Sequence, residues 1–292
     1  MNSGTDRRSV LTGLGALGVA GCSPLFDDLL DWRREMTALE ARHGGRLGIA
    51  VSQGRSFAHR PNDRFVYCST FKMYLAAATL ERVQRGEEQL DRTVPVTRAD
   101  MVDHAPVTQP AVGTSLTIET LCQAVVEVSD NPAANILIRE LGGLDVLRGW
   151  YRSIGDQSTT VDRLEPMMNR LDGDKDTTTP MQCVANLERL FLSAETPLIA
   201  EHKAKLLGWM FTSPTGVARI KAGVPAGWRV AHKTGTGGYG PTNDIGIIYP
   251  PAGEPILIAI YFHATSASTP AQREAVIADA TKAALASLGH AA

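Results

Sequence analysis

Ser69 and Lys72 stand three residues apart in Ser69-Thr70-Phe71-Lys72. If a helix opens there, that spacing sets both side chains on one face, about a turn apart and within hydrogen-bond reach. A serine at a helix N-terminus has free backbone N–H groups beside it and feels the positive end of the macrodipole. Such a place suits an attacking oxygen and a developing oxyanion, with the lysine holding or taking the proton. The pair also reads as an N-cap serine beside a surface lysine, since S-x-x-K is common by chance. Ser129-Asp130-Asn131 forms a second polar cluster, between two helical patterns. Ser129 could relay a proton to a leaving amine, and the Asn131 amide could hold a substrate amide. As plain turn chemistry, Asn131 caps a helix with Pro132 at its first position. Lys233-Thr234-Gly235 ends a late strand and runs into Thr236-Gly237-Gly238. A lysine there can meet a carboxylate, glycines admit a ligand close to the backbone, and the Thr236 N–H can serve as an oxyanion donor. Its bland reading is a strand end entering a glycine turn.

Each element is weak alone; the ordered set is specific. S-x-x-K, S-D-N and K-T-G, in this order, resemble the signature of class A β-lactamases and penicillin-binding proteins. The resemblance spans nearly the whole chain after its leader. Arg163-Leu164-Glu165-Pro166-Met167-Met168-Asn169 looks like the Ω-loop of the class A β-lactamases. There Glu165 matches the carboxylate that activates the deacylating water, and Asn169 its partner in holding that water. Penicillin-binding proteins and acylated antibiotic sensors lack such a base and stall as acyl-enzymes. A positioned general base is worth roughly 10² to 10⁴ in rate, enough to separate a trapped intermediate from turnover.

The resemblance therefore implies β-lactam hydrolysis through a Ser69 acyl-enzyme, and with it antibiotic resistance. Ser69 would attack the ring carbonyl, its proton leaving through Lys72 or through Glu165 and a water. The backbone N–H groups of Ser69 and Thr236 would hold the oxyanion, and Ser129 would protonate the ring nitrogen. Lys233, Thr234, Gly235 and Thr236 would bind the substrate carboxylate, with Arg219 adding charge. No metal or organic cofactor is implied. A D-alanyl-D-alanine peptidase of the same fold and a non-hydrolytic β-lactam sensor are the alternatives, and Glu165 argues against both.

The chain also departs from that family. The loop from Asn169 to Asp176 is about two residues short, so Asp174 competes with Asp176 for the Arg163 ion pair that closes its neck; stranding one partner would cost several kcal/mol. His104 takes the place of an aromatic at the cleft rim, where it could stack on substrate, add pH dependence, or simply be solvated. Cys68 and Cys122 match halves of family disulfides whose partner positions are Gly237 and Ala76, so neither bridge is expected.

The elements that must position these residues follow from periodicity. Helical patterns cover 25–43, 70–85, 118–128, 133–141, 144–154 and 181–192, and strands 47–51, 56–58, 229–234, 244–249 and 256–263. The run Ile256 to Phe262 is apolar on both faces, which places it centrally in a covered sheet. Thr269, Pro270 and Gln272 announce a capped final helix, closed by Gly289. The fold class is α+β, and the family likeness implies five antiparallel strands flanked by helices. One lobe comprises about 25–60 and 211–292, and an inserted all-helical lobe about 61–210.

With 43% hydrophobic and 21% charged residues, the 292-residue chain can bury a full core. A net charge of -2 without a Lys/Arg run gives nucleic acid no electrostatic basis for binding. Arg7-Arg8 followed by a short apolar stretch reads as a leader over 1–22 of the twin-arginine kind, too short to span a bilayer. Val19-Ala20-Gly21-Cys22 is similar to a lipobox, which would put lipid on Cys22 and tie an exported, periplasmic protein to the membrane. A plain cleaved leader with an incidental Cys22 is the alternative. Cys68, Cys122 and Cys183 lack metal-like spacing and are expected to be buried thiols. A monomer is expected.

Overall fold

The computed structural model describes residues 24–290 apart from 266, with side chains from 31 onward. Arg7, Arg8 and Cys22 lie outside the described residues. Helix α1 (Pro24–His43) leads into β1 (Gly45–Gln53), which turns at Gly54 into β2 (Arg55–His59). After β3 (Phe65–Val66) come a single 3-10 turn, Cys68–Thr70, and α2 (Phe71–Gln84). The middle of the chain holds β4 (Thr93–Pro95), β5 (Ser115–Thr117), α3 (Ile118–Glu127), α4 (Asn131–Leu141) and α5 (Leu144–Ser153). It continues through β6 (Thr177–Thr178), α6 (Pro180–Phe191) and α7 (Ala200–Thr212). The chain closes with α8 (Ile220–Gly223), β7 (Arg229–Thr236), β8 (Pro241–Tyr249), β9 (Ile256–Ala264) and α9 (Pro270–Ser287).

Five strands form one antiparallel sheet in the order β2-β1-β9-β8-β7. Side chains alternate across its faces, so β9 feeds two cores at once. Ile256, Ile258, Ile260 and Phe262 pack with Trp32 and Met36 of α1 and Val276 and Ile277 of α9. Leu257, Ala259 and Tyr261 face the other way, into the core shared with the helical middle. The expectation of a strand covered on both sides holds.

That second core is built around α2, whose residues Phe71 to Leu80 are all buried. A helix buried on every side is fixed by packing rather than by one amphipathic stripe, which suits the element that carries Lys72 and follows directly on the turn holding Ser69. The capping box at Thr269 and Gln272 forms as expected, and Gly289 takes φ 89° just past α9.

Some elements were not anticipated. The pairs β3 with β6 and β4 with β5 are two or three residues long, too short for any periodicity to register. Helix α7 buries His202, Leu206, Trp209 and Met210, a helical spacing diluted by Lys203, Lys205 and Gly208.

Candidate active site

Ser69 sits in the 3-10 turn that enters α2. Cys68 before it takes φ 48°, Ser129 φ 61° and His104 φ 65°. Non-glycine residues in this left-handed region cost of order 1–3 kcal/mol each and persist only where the surroundings impose them. Strand β7 runs hard against the turn: a Cβ at Gly235 would lie 2.6 Å from the Tyr67 carbonyl oxygen and 3.2 Å from the Cys68 Cβ. Only glycine lets strand and nucleophile approach so closely.

Behind Ser69 lies a buried charged cluster. Lys72 Nζ is 3.0 Å from Glu165 Oε1, with both side chains fully buried. The same ammonium donates to the Ser129 carbonyl at 2.7 Å, to Ser129 Oγ at 3.3 Å and to Asn131 Oδ1. Burial pulls Lys72 below its ordinary pKa, and the Glu165 carboxylate only partly offsets that. Ser69 Oγ donates to Glu165 Oε1 at 3.4 Å, while Asn169 Nδ2 donates to Glu165 Oε2. The other side-chain atom of Asn169, Oδ1, is buried without a protein partner.

The Glu165 backbone is clamped as well. Its N–H donates to Asn135 Oδ1 at 2.9 Å, and Asn135 Nδ2 donates back to its carbonyl at 3.0 Å. Asn131 and Asn135 are four residues apart on α4, so one helix face holds both the lysine and the loop that carries Glu165. Sequence reasoning found Asn131 and missed Asn135; that spacing was the available signal.

Asn131 is not the cap of α4, which corrects the turn-chemistry reading. Asp130 is the cap: its Oδ1 accepts the Ala133 N–H at 2.9 Å and the Thr108 hydroxyl at 2.8 Å, and its Oδ2 the Val107 and Thr108 N–H groups. Relieved of capping, the Asn131 side chain reaches Lys72 with its oxygen and the Asp103 carbonyl with its Nδ2 at 2.8 Å.

A cavity of about 300 Å³ opens over the cluster, and Ser69, Ser129, Asn131, Asn169, Thr234, Thr236, Arg219 and His104 all line it. Lys72, Glu165 and Lys233 stand behind its wall, buried. Lys233 Nζ donates to the Thr234 carbonyl at 3.0 Å. Burial drives its pKa well below the ordinary lysine value, Lys72 adds to the effect, and Asp244 opposes it. The groups presented to a carboxylate are therefore the Thr234 and Thr236 hydroxyls and Arg219, with Lys233 underneath. Thr215 and Ser213, not foreseen, extend a hydroxyl chain from Thr234 with 2.9 Å steps. Arg219 is held by Thr236 Oγ1 at 2.8 Å, the Asn243 and Gly235 carbonyls at 2.9 and 3.2 Å, and Glu274 at 3.1 Å. His104 Nε2 is 2.8 Å from the Val128 carbonyl, so the ring is tied to the rim by a donated N–H.

The loop's neck resolves the competition between carboxylates. Arg163 Nε pairs with Asp176 Oδ2, and Asp176 Oδ1 accepts the Asp162 N–H at 2.8 Å and the Arg163 N–H at 3.1 Å. Asp174 turns to Arg64, 3.6 Å away. Cys68, Cys122 and Cys183 are free and buried, and burial pushes each thiol up, Cys183 to about 11. They pack as small apolar groups.

Residues 31–288 match the β-lactamase enzyme family. β-Lactamase CTX-M-8 of Citrobacter amalonaticus is 36% identical over 265 residues, covering 89% of this chain and 90% of the relative. A β-lactamase of Mycobacterium tuberculosis is 37% identical across 96% of each chain. Among solved structures, an ancestral class A β-lactamase superposes with a TM-score of 0.84 at 43% identity, covering 87% of this chain and 99% of that one. A β-lactamase from Xanthomonas campestris gives a TM-score of 0.84 at 38% identity over 88% of this chain and 97% of its own.

Proposed function

The chain belongs to the β-lactamase enzyme family, in its class A branch, and from that premise we propose that it hydrolyses β-lactam antibiotics through an acyl-enzyme on Ser69. One observation carries the reading: a buried carboxylate, Glu165, lies 3.4 Å from the Ser69 hydroxyl and is held by Lys72, Asn169 and Asn135. Ser69 Oγ attacks the ring carbonyl. Its hydrogen bond already points at Glu165, whereas the Lys72 N–H groups are taken by Ser129, Asn131 and Glu165. A lysine has three such donors and, charged, no acceptor, so the first proton passes to Glu165. The Ser69 and Thr236 N–H groups hold the oxyanion, each such donor being worth about 10² to 10³ in rate. Ser129, whose Oγ receives a hydrogen bond from Lys72, protonates the ring nitrogen as the C–N bond breaks. It takes a proton back from Lys72, which Glu165 reprotonates across their 3.0 Å contact, so the carboxylate is free again. Water, deprotonated by Glu165 and oriented by Asn169 Oδ1, then releases the acyl group.

The test is steady-state turnover of a chromogenic cephalosporin by the purified protein. Sustained hydrolysis is expected; a single stoichiometric burst without a steady state would overturn the reading in favour of a penicillin-binding protein or sensor.

Arg7-Arg8 and the Val19–Cys22 box support export to the periplasm with lipid on Cys22. Fractionation of wild type against Cys22→Ser checks this: wild type should sediment with membranes and the variant should not. A monomer is expected on gel filtration.

A further inference from the structure

Between residues 161 and 178, every charged side chain except Arg170 has an oppositely charged neighbour among the described residues. Asp162 faces Arg148, Arg163 pairs with Asp176, Glu165 with Lys72, Asp172 with Lys175, and Asp174 with Arg64. Arg170 instead holds its guanidinium carbon 6.0 Å from the ring centre of Tyr239, on the turn between β7 and β8. Loop and turn meet right beside this pair: a Cβ at Gly237 would come within 2.7 Å of the Asn169 carbonyl oxygen. Asn169, the residue before Arg170, lines the cleft, as does Thr236 just before Gly237. Tyr239 is 69% exposed and Met167 45%, so the cation lies on exposed, partly apolar surface, next in sequence to a residue of the cleft wall.

The remaining cations of the cleft are committed. Lys72 serves Glu165, Lys233 is buried under the wall, and Arg219, braced by Glu274, is taken by the ring carboxylate. A bicyclic β-lactam carries its ring carboxylate and its acylamino side chain at opposite ends. Thr234, Arg219 and Asn169 line the same cavity, so a ligand that places its carboxylate at Thr234 and Arg219 can set its other end beside Asn169 and the loop. An anion at its tip would meet Arg170, whose guanidinium can accept a carboxylate in bidentate fashion and stack on the tyrosine ring.

We propose that Arg170, backed by Tyr239, forms a specificity subsite that favours β-lactams whose acyl side chain ends in an anion. The proposal rests on the cleft's reading as a β-lactam site. The probes are an N-adipoyl penicillin, with a flexible chain ending in a carboxylate, and its terminal carboxamide, assayed on the full chain. In wild type the ratio of kcat/KM, acid over amide, should exceed one, lie mainly in KM, and fall at high salt, because an exposed pair is screened. Arg170→Gln should lower the ratio about threefold to fivefold and remove its salt dependence; Arg170→Glu should lower it further. Tyr239→Leu should lower it less. An unchanged ratio in Arg170→Gln, or equal losses on acid and amide, would overturn the subsite and leave the β-lactamase reading intact. No turnover of either compound by wild type would overturn both.

Discussion

Glu165 and Lys72 depend on each other, because two fully buried charges at 3.0 Å hold only as a pair. On the proposed reading the carboxylate works twice, taking the Ser69 proton and activating water, so its removal should slow both half-reactions. Deacylation should slow the more, because Lys72, relieved of its ion pair and with its pKa lowered by burial, can still take the Ser69 proton. Glu165→Ala should slow deacylation by at least about 10²-fold and accumulate a covalent adduct on Ser69. Intact-mass spectrometry after mixing with a penicillin checks this, and a variant that stays adduct-free while still turning the penicillin over would remove Glu165 from its role. Asn135 stands outside the lining of the cavity, yet it fixes the Glu165 backbone from both sides. Asn135→Ala should lower kcat about 10-fold to 100-fold, the scale set by misplacing a reacting group by an ångström. The effect should fall on deacylation, visible as a rising acyl-enzyme fraction in the steady state.

The Ω-loop shows how much of such an arrangement can be read before any coordinates. Glu165 and Asn169 were legible because they sit in one contiguous segment with a recognisable order. The neck was legible only as two alternatives, since Asp174 and Asp176 are equivalent in sequence; burial decides, giving Arg163 the fully buried Asp176. The cap of α4 was misassigned because Asp130 and Asn131 are both good caps, and it is the needs of Lys72 and Thr108, distant in sequence, that distribute their roles. Long helices and strands with capping or turn chemistry were found within a few residues. Pairings of two or three residues left no signal. At this scale Asp176→Asn should leave Arg163 with only Asp172, 3.6 Å away, as a charged neighbour and lower stability by about 1–3 kcal/mol. A lower urea midpoint with the slope preserved checks it. Thr269→Ala removes one half of the box that starts α9 and should cost about 1 kcal/mol, read as a lower Tm with unchanged kcat.

For the molecule as a whole, the two cores share the central sheet, and acid should loosen the place where β9 supports β3. His263, near the end of β9, packs edge-on to Phe65 with ring centres 5.0 Å apart. Burial and the nearby Arg46 hold it neutral, with its pKa lowered from 6.5 to about 4. Unfolding returns it to an ordinary histidine that takes a proton readily, so below pH 6.5 the unfolded chain binds more protons than the folded one. Stability must then fall as pH drops from about 6.5 toward 4, and the contribution is fully present only above that window. A shift of this size corresponds to roughly 3 kcal/mol. Urea unfolding at pH 7.5 and at pH near 4 should show wild type losing that much more than His263→Phe, which keeps a ring against Phe65 but has nothing to titrate. If both proteins lose stability equally over the window, the acid sensitivity arises elsewhere. If the difference appears, the sheet that positions Lys233 and Thr234 is weakened through a residue outside the cleft, and acid inactivation should follow unfolding rather than titration of the catalytic groups.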